Sequence, residues 1–322
     1  MTVGYAVRLA VRASAPRTRV LFCTTGVLLR RLADDKALVG VSVVCVDEVH
    51  ERILDSDFLL VLLKDVMARS PNLRVVLMSA TMDATKFAEY FAAESGGRPC
   101  PVLEIPGFTH PVRELYLEDA VRLCEYSLRP GSDFARKGPP GGGGGKGGGF
   151  DGKTEEQRRA EEQAERTEMA AAEALTKRGY PRHVADCVRD TDPDAINYEL
   201  LEALLERLVV DQADDGAVLV FLPGLMEIST LHEACTANRT IHGATGGGKY
   251  LIALHSQLST QEQQRVFENP PKGTRKVALA TNIAETSITI DDCTVVVDCG
   301  KVKETGFNAA TRMYVAAAAL QR

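Results

Sequence analysis

The sequence predicts an α/β protein with two parallel-sheet domains, each incomplete, joined by a glycine-rich and charged linker. Three observations carry this. Runs of apolar, mostly β-branched residues such as Val41–Val46, Leu73–Met78, Ala217–Leu222 and Val277–Ala280 read as strands buried on both faces, the mark of parallel sheets. Segments with helical spacing alternate with them, as a strand–helix–strand order requires. Between the two sets lies Gly131 to Phe150, in which Gly141 to Gly149 is broken only by Lys146. Such a run has no apolar area to offset the entropy of ordering it, so disorder is expected there. The domains are then 1–117 and 192–322, with a linker over 118–191.

Composition bounds the function. At 322 residues the chain can hold two ordinary cores. A net charge of −6 gives no broad basic face, so any nucleic-acid contact has to be local, through backbone amides and a few basic residues. The eight cysteines form no Cys-x-x-Cys and no Cys/His cluster, and Cys45 and Cys299 lie in expected strands. That pattern fits buried thiols in a reducing compartment rather than disulfides or zinc. No apolar run reaches a membrane span and the N-terminus lacks a signal-peptide apolar region, which points to an intracellular, cytoplasmic protein with the nucleus left open.

In order along the chain, Thr18–Cys23 is an expected strand, followed by Thr24-Thr25-Gly26 and a helix over Val27–Leu32. Val41–Val46 is the central strand of the first domain and ends in Asp47-Glu48-Val49-His50-Glu51-Arg52. A helix over Phe58–Met67, the strand Leu73–Met78 ending in Ser79-Ala80-Thr81, and a helix near Thr85–Phe91 come next. Glu155–Lys177 is charged and alanine-rich without an apolar stripe, hence a solvated helix or a disordered tract. Asp192 as cap, Pro193 in the first turn, and Ile196, Leu200, Leu204 and Leu208 at every fourth position predict an amphipathic helix. Ala217–Leu222, Leu251–His255, Val277–Ala280 and Val295–Asp298 are the strands of the second sheet. Ser259 with Glu262 reads as a capping box for a helix to Phe267.

The chemistry concentrates at strand ends. Ligands of open α/β sheets bind outside the carboxyl ends of the strands, which is where Asp47 and Glu48 stand. Mg²⁺ takes hard oxygen ligands and keeps several waters, so Asp47 suits it, and Glu48 could polarise an attacking water. An acidic surface turn is the competing reading of Asp-Glu alone. Ser79 and Thr81 bring hydroxyls to the same edge, about thirty residues on and after one helix and one strand. In this order and spacing Asp47-Glu48-Val49-His50 and Ser79-Ala80-Thr81 resemble motifs II and III of the DEAH/RNA-helicase-A family of DExH-box ATP-dependent RNA helicases. Thr281-Asn282-Ile283-Ala284-Glu285-Thr286-Ser287-Ile288-Thr289-Ile290-Asp291 is similar to that family's motif V, and Phe221-Leu222-Pro223-Gly224 to motif IV.

The resemblance implies two RecA-like domains of the P-loop NTPase type, with ATP and Mg²⁺ as cofactors and RNA, in ribonucleoprotein complexes, as partner. It assigns Asp47 and Glu48 to Mg²⁺ and water, and His50, Ser79 and Thr81 to coupling the nucleotide site to RNA. Thr24, Thr25 and Gly26 resemble motif Ib, which touches RNA backbone; a helix N-cap is the competing reading, and both can hold because a helix N-terminus attracts anions. Thr281 and Asn282 would hold RNA, while Glu285, Thr286 and Asp291 would face the nucleotide. Gln321 and Arg322 would open motif VI, and Lys301–Thr311 resembles the hairpin that splits strands.

Two stretches imitate a phosphate loop. Gly147–Thr154 has no strand before it, and Gly243–Tyr250 lacks the hydroxyl and precedes a strand where a helix is required. Both also come after Asp47-Glu48, whereas the family's loop precedes it. The expectation is therefore a helicase fragment lacking motif I and most of motif VI and inactive alone, with a non-catalytic RNA-binding or interaction fragment as the alternative.

Overall fold

The computed structural model describes residues 2–7, 10–14, 17–80, 84–92, 96–97, 100–107, 110–129, 131–136, 155–211, 214–255, 258, 263–281, 290–308 and 313–320. The chain divides into two compact units, Met1–Pro111 and Val112–Arg322. The glycine tract and the Ser259/Glu262 capping box lie outside the described residues.

The first unit runs β1 (Val3–Val7), β2 (Ala10–Arg12), β3 (Val20–Cys23), α1 (Thr25–Asp34), β4 (Val43–Val46), a 3-10 turn (Val49–Glu51), α2 (Leu54–Arg69), β5 (Arg74–Leu77) and α3 (Ala84–Tyr90). β1 pairs antiparallel with β2 and parallel with β3, and β4 pairs parallel with β5 from Val43 opposite Arg74 to Val46 opposite Leu77. Val44 and Val46 pack with Leu32 of α1, Leu59, Leu60, Leu63 and Val66 of α2, Leu73 and Phe91. The other face of this pair is open. Val43 is 51% exposed and Val76 44%, and Cys45 is exposed. The expectation that β4 is covered on both sides is therefore corrected: among the described residues the helices of this unit pack on one face only. The reading of the cysteines changes with it, because Cys23 and Cys45 are exposed while only Cys187 and Cys235 are buried. Burial pushes the Cys235 thiol up to about 12.

The second unit runs α4 (Leu117–Leu123), α5 (Glu155–Lys177), α6 (Arg182–Asp190), α7 (Tyr198–Val210), β6 (Ala217–Phe221), α8 (Leu225–Ala237), α9 (Arg239–Ala244), β7 (Leu251–Leu254), β8 (Val277–Ala280), β9 (Cys293–Asp298), β10 (Lys301–Asn308) and β11 (Met313–Leu320). β7-β8-β6-β9 form one parallel sheet, and β10-β11 an antiparallel hairpin. Here the central strands are covered twice. Val218, Val220, Val277 and Leu279 face Leu205, Ile228, Leu231 and Ile241 on one side. Ala217, Leu219, Ala278 and Ala280, with Leu254 of β7 beside them, pack against Val266 and Ile290 on the other. Each fully buried aliphatic side chain contributes about 1.5–3 kcal/mol, so among the described residues this sheet is heavily stabilised by packing.

Two local differences from the sequence reading have clear causes. α7 begins at Tyr198 rather than after Pro193, because Asn197 supplies the cap: its Oδ1 accepts from Leu200 N at 3.0 Å. Asp192 instead closes a turn by accepting from Asp194 N at 2.8 Å. Within the stretch expected as linker, Val121 of α4 and Val184 and Cys187 of α6 pack against Leu200 in a small buried cluster. Their apolar positions are few and lie far apart in the chain, so no local periodicity announces them.

Gly216, just before β6, shows how closely the strands approach. A Cβ there would stand 2.3 Å from Thr294 Oγ1 and Cγ2, and Thr294 is held by both oxygens of Asp214 at 2.8 Å. Gly216→Ala is expected to cost about 1–3 kcal/mol as an overpacking substitution. A lower urea midpoint at unchanged slope is the measurement.

Candidate functional site

In the first unit the carboxylates sit on a turn wound against its backbone preference. β4 ends at Val46 and Asp47 is exposed; Glu48 N donates to Asp47 Oδ1 at 3.0 Å. Glu48 has φ 52° and Arg52 φ 51°, so left-handed residues bracket the 3-10 turn Val49–Glu51. Each non-glycine residue held there costs on the order of 1–3 kcal/mol, and such strain persists only where the surroundings over-determine it. Three contacts do so. Val49 is 1% exposed and its N–H donates to Met78 O at 3.2 Å. Met78 N in turn donates to Val46 O at 2.9 Å. Arg52 forks onto Asp57 of α2, with Nε 2.9 Å from Oδ1 and Nη2 2.8 Å from Oδ2. That hydrogen-bonded fork lowers the Asp57 carboxyl and raises the guanidinium.

The two motif turns are thereby tied together. Ser79 comes directly after Met78, whose backbone bonds both to the end of β4 and to Val49 in the carboxylate turn. His50 Nδ1 lies 3.3 Å from Glu48 Oε2, so Glu48 and His50 face one another at the strand ends. Thr81 lies outside the described residues. Among the described residues no group of three or more His, Cys, Asp or Glu forms a ready metal cage. An exposed Asp47 beside Glu48 instead fits Mg²⁺ carried on a phosphate ligand and keeping its waters.

Thr24 stands at the N-cap of α1 with φ −72° and ψ 152°, yet its side chain makes no capping hydrogen bond. The competing N-cap reading holds for its backbone position and not for its hydroxyl. Gly26, in the first turn, has nothing within 4 Å of where a Cβ would stand.

In the second unit the strand order sets the end of β6 beside those of β8 and β9, with the end of β7 beyond β8. Thr281 N donates to Leu254 O at 3.2 Å and Leu222 N to Ala280 O at 2.8 Å, which places Thr281 and the Leu222-Pro223-Gly224 turn on one edge. Asp291 is elsewhere. It precedes β9, and Asp292 O accepts from Ala217 N at the start of β6 at 2.7 Å, so Asp291 and Thr281 stand at opposite edges of the sheet. Asn282, Glu285, Thr286, Gln321 and Arg322 lie outside the described residues. Gly243–Tyr250 runs from α9 through Gly246, Gly247 and Gly248, all at positive φ, into β7. Helix, turn and strand is the reverse of the order a phosphate loop needs.

Sequence reasoning missed the buried cations that hold this sheet. Arg275 is 4% exposed and donates to Gly216 O, Leu208 O and Asp211 O at 2.9, 2.7 and 3.2 Å, and it also contacts Asp214. Lys276 is 1% exposed, donates to Val266 O at 2.7 Å and pairs with Asp292 at 2.7 Å. Adjacent basic residues ahead of a strand read as surface charge, and nothing in their spacing says otherwise.

Residues 198–317 match the helicase conserved C-terminal domain family. The chain is 42% identical to the putative ATP-dependent RNA helicase DHX57 of Homo sapiens, over 97% of its own length and 23% of that protein. It is 40% identical to the DExH-box ATP-dependent RNA helicase DExH3 of Arabidopsis thaliana, over 96% of the chain and 24% of the relative. It is 38% identical to the ATP-dependent DNA/RNA helicase DHX36 of Bos taurus, over 95% and 29%. The chain thus spans about a quarter of the length of the relatives it matches. Its α/β architecture and parallel sheets fit a RecA-like fold. Likeness sustained along almost the whole polypeptide, and not at short motifs alone, means that the chain belongs to the DExH/DEAH-box helicase family.

Proposed function

We propose that this chain is the part of an ATP-dependent RNA helicase that carries motifs Ib to V on two RecA-like domains joined by the 118–191 segment. The observation that carries the proposal is the Val46–Met78–Val49 hydrogen-bond chain, which makes the Asp47-Glu48-His50 turn and the Ser79 turn one body. Such a connection lets the state of a nucleotide site reach a second surface without a long relay. Mg²⁺ on the ATP phosphates would neutralise charge developing in phosphoryl transfer. Asp47 would hold that cation, directly or through its waters, and Glu48 would orient the attacking water and take its proton. His50, whose Nδ1 stands 3.3 Å from Glu48 Oε2, would pass the outcome onward with Ser79 and Thr81.

RNA backbone is held at Thr24, Thr25 and Gly26, where the first amides of α1 have no side-chain cap. Thr281 and Asn282 hold it at the edge of the second sheet, while Glu285 and Thr286 serve the nucleotide side and Gln321 and Arg322 begin motif VI; Asp291, at the opposite edge from Thr281, is left out of that role. The work is intracellular, on RNA in ribonucleoprotein complexes. Among the described residues no helix is long and apolar enough to cross a membrane.

Lys153 and Lys249 are expected to take no part in nucleotide binding, since neither glycine stretch has the strand–loop–helix order that a phosphate loop needs. Titration calorimetry with Mg²⁺–ATP, alongside Lys153→Ala and Lys249→Ala, tests this. The expected result is the same heat in all three. Binding abolished by either substitution would make a glycine stretch a working phosphate loop and overturn the reading.

A further inference from the structure

The hairpin β10–β11 is hydrogen-bonded to no third strand among the described residues: Lys301 pairs with Leu320 and Asn308 with Met313, and the ladder stops there. Two-stranded ribbons are marginally stable alone, so how this one stands depends on its root. That root is charged. Lys301 is 8% exposed and 3.6 Å from Asp194, ahead of α7. Lys303, on the same face of β10, places Nζ 3.0 Å from both carboxylate oxygens of Glu227 in the first turn of α8. Glu227 suits that place, because the N-terminal end of a helix favours an acid.

Gly224 lies directly beneath the contact. A Cβ there would stand 2.7 Å from Lys303 Nζ and 2.9 Å from Glu227 Oε2, the mobile ends of the two side chains, so the pair would have to shift to admit it. Gly224 adopts φ −174°, an extended conformation open to any residue. Gly224 also ends the Phe221-Leu222-Pro223-Gly224 turn, one edge with Thr281.

We infer that Lys303 and Glu227, seated over Gly224, form a latch that fixes the root of the β10–β11 hairpin to α8, and that they are positioning residues for strand separation. The second half rests on the helicase reading above; the first does not. Movement of the turn that joins β6 to α8 is carried directly to the base of the hairpin.

Amide exchange on the chain itself tests the latch. Lys303→Ala and Glu227→Ala are each expected to speed exchange across 301–308 by about two- to fivefold, the range for a partly exposed ion pair, with β6 and β8 unaffected. The charge-swapped double variant, Lys303→Glu with Glu227→Lys, is expected to restore it in part, since a lysine in the first turn of α8 is less favourable than an acid. Unchanged exchange in both single variants overturns the latch. The positioning role is tested in a chimaera in which this chain replaces the matched stretch of bovine DHX36. Each single variant should slow duplex unwinding more than RNA-stimulated ATP turnover, with recovery in the swap. Equal loss of both activities overturns the positioning role. If the unsubstituted chimaera neither hydrolyses ATP nor unwinds, the helicase reading fails, and the exchange rates still decide the latch.

Discussion

Glu48→Gln in the DHX36 chimaera is expected to lower ATP turnover by roughly 10²- to 10⁴-fold, the range that a positioned general base contributes. The substitution keeps size and shape and removes the ability to take a proton. Nucleotide affinity should change by only a few-fold, because Asp47 and the phosphate cradle are untouched. The left-handed backbone at Glu48 makes the effect sharp: the carboxylate is aimed by a strained turn held from Met78 and Asp57, and an amide in the same place meets His50 without charge. Steady-state hydrolysis within tenfold of the unsubstituted chimaera would mean that Glu48 is an acidic surface residue and that the water is activated elsewhere.

The second large effect concerns stability. Lys276→Ala is expected to destabilise the second unit by about 3 kcal/mol or more, the low end of the loss caused by removing one partner of a buried ion pair, because Asp292 retains some solvent. The Asp292 side chain is 28% exposed against 1% for Lys276. Val266 O and Glu268 O also lose the Nζ that lies 2.7 and 3.2 Å away. Against a typical total of about 5–15 kcal/mol, that is a large share. Lys276→Met, which keeps the aliphatic stem, should recover part of the loss by restoring packing. Urea unfolding monitored by circular dichroism measures both; an alanine variant within about 0.5 kcal/mol of the parent, as for ordinary surface sites, would show that the lysine is surface charge after all.

Much of the architecture was legible because its signals are local. Ala217–Leu222 and Val277–Ala280 read as doubly buried strands, and β6 and β8 are that, since α7, α8 and α9 cover one face and Val266 and Ile290 the other. The same pattern at Val41–Val46 misled. Apolar residues on both sides of a strand report what the strand could bury, and whether a helix arrives to cover it depends on distant parts of the chain. Asn197 was overlooked as a cap because Asp192-Pro193 is the stronger local pattern, and only the packed position of Leu200 and Leu201 decides between them. At the site, the order and spacing of Asp47, Glu48, His50 and Ser79 were readable. The positive φ at Glu48 and the Arg52–Asp57 fork were not, because both express how the turn packs against β5 and α2.

The open face of β4 and β5 has a thermodynamic consequence. Its valines forgo the stabilisation that their counterparts in β6 and β8 gain, so the two halves of the chain are unequal in their resistance to denaturant. Unfolding is then expected in two steps, with the first unit's midpoint below that of the second, whose own transition carries the Gly216 and Lys276 effects. Between those steps the polypeptide is a folded sheet tethered to a loose one. In that window self-association through exposed β-edges competes with refolding.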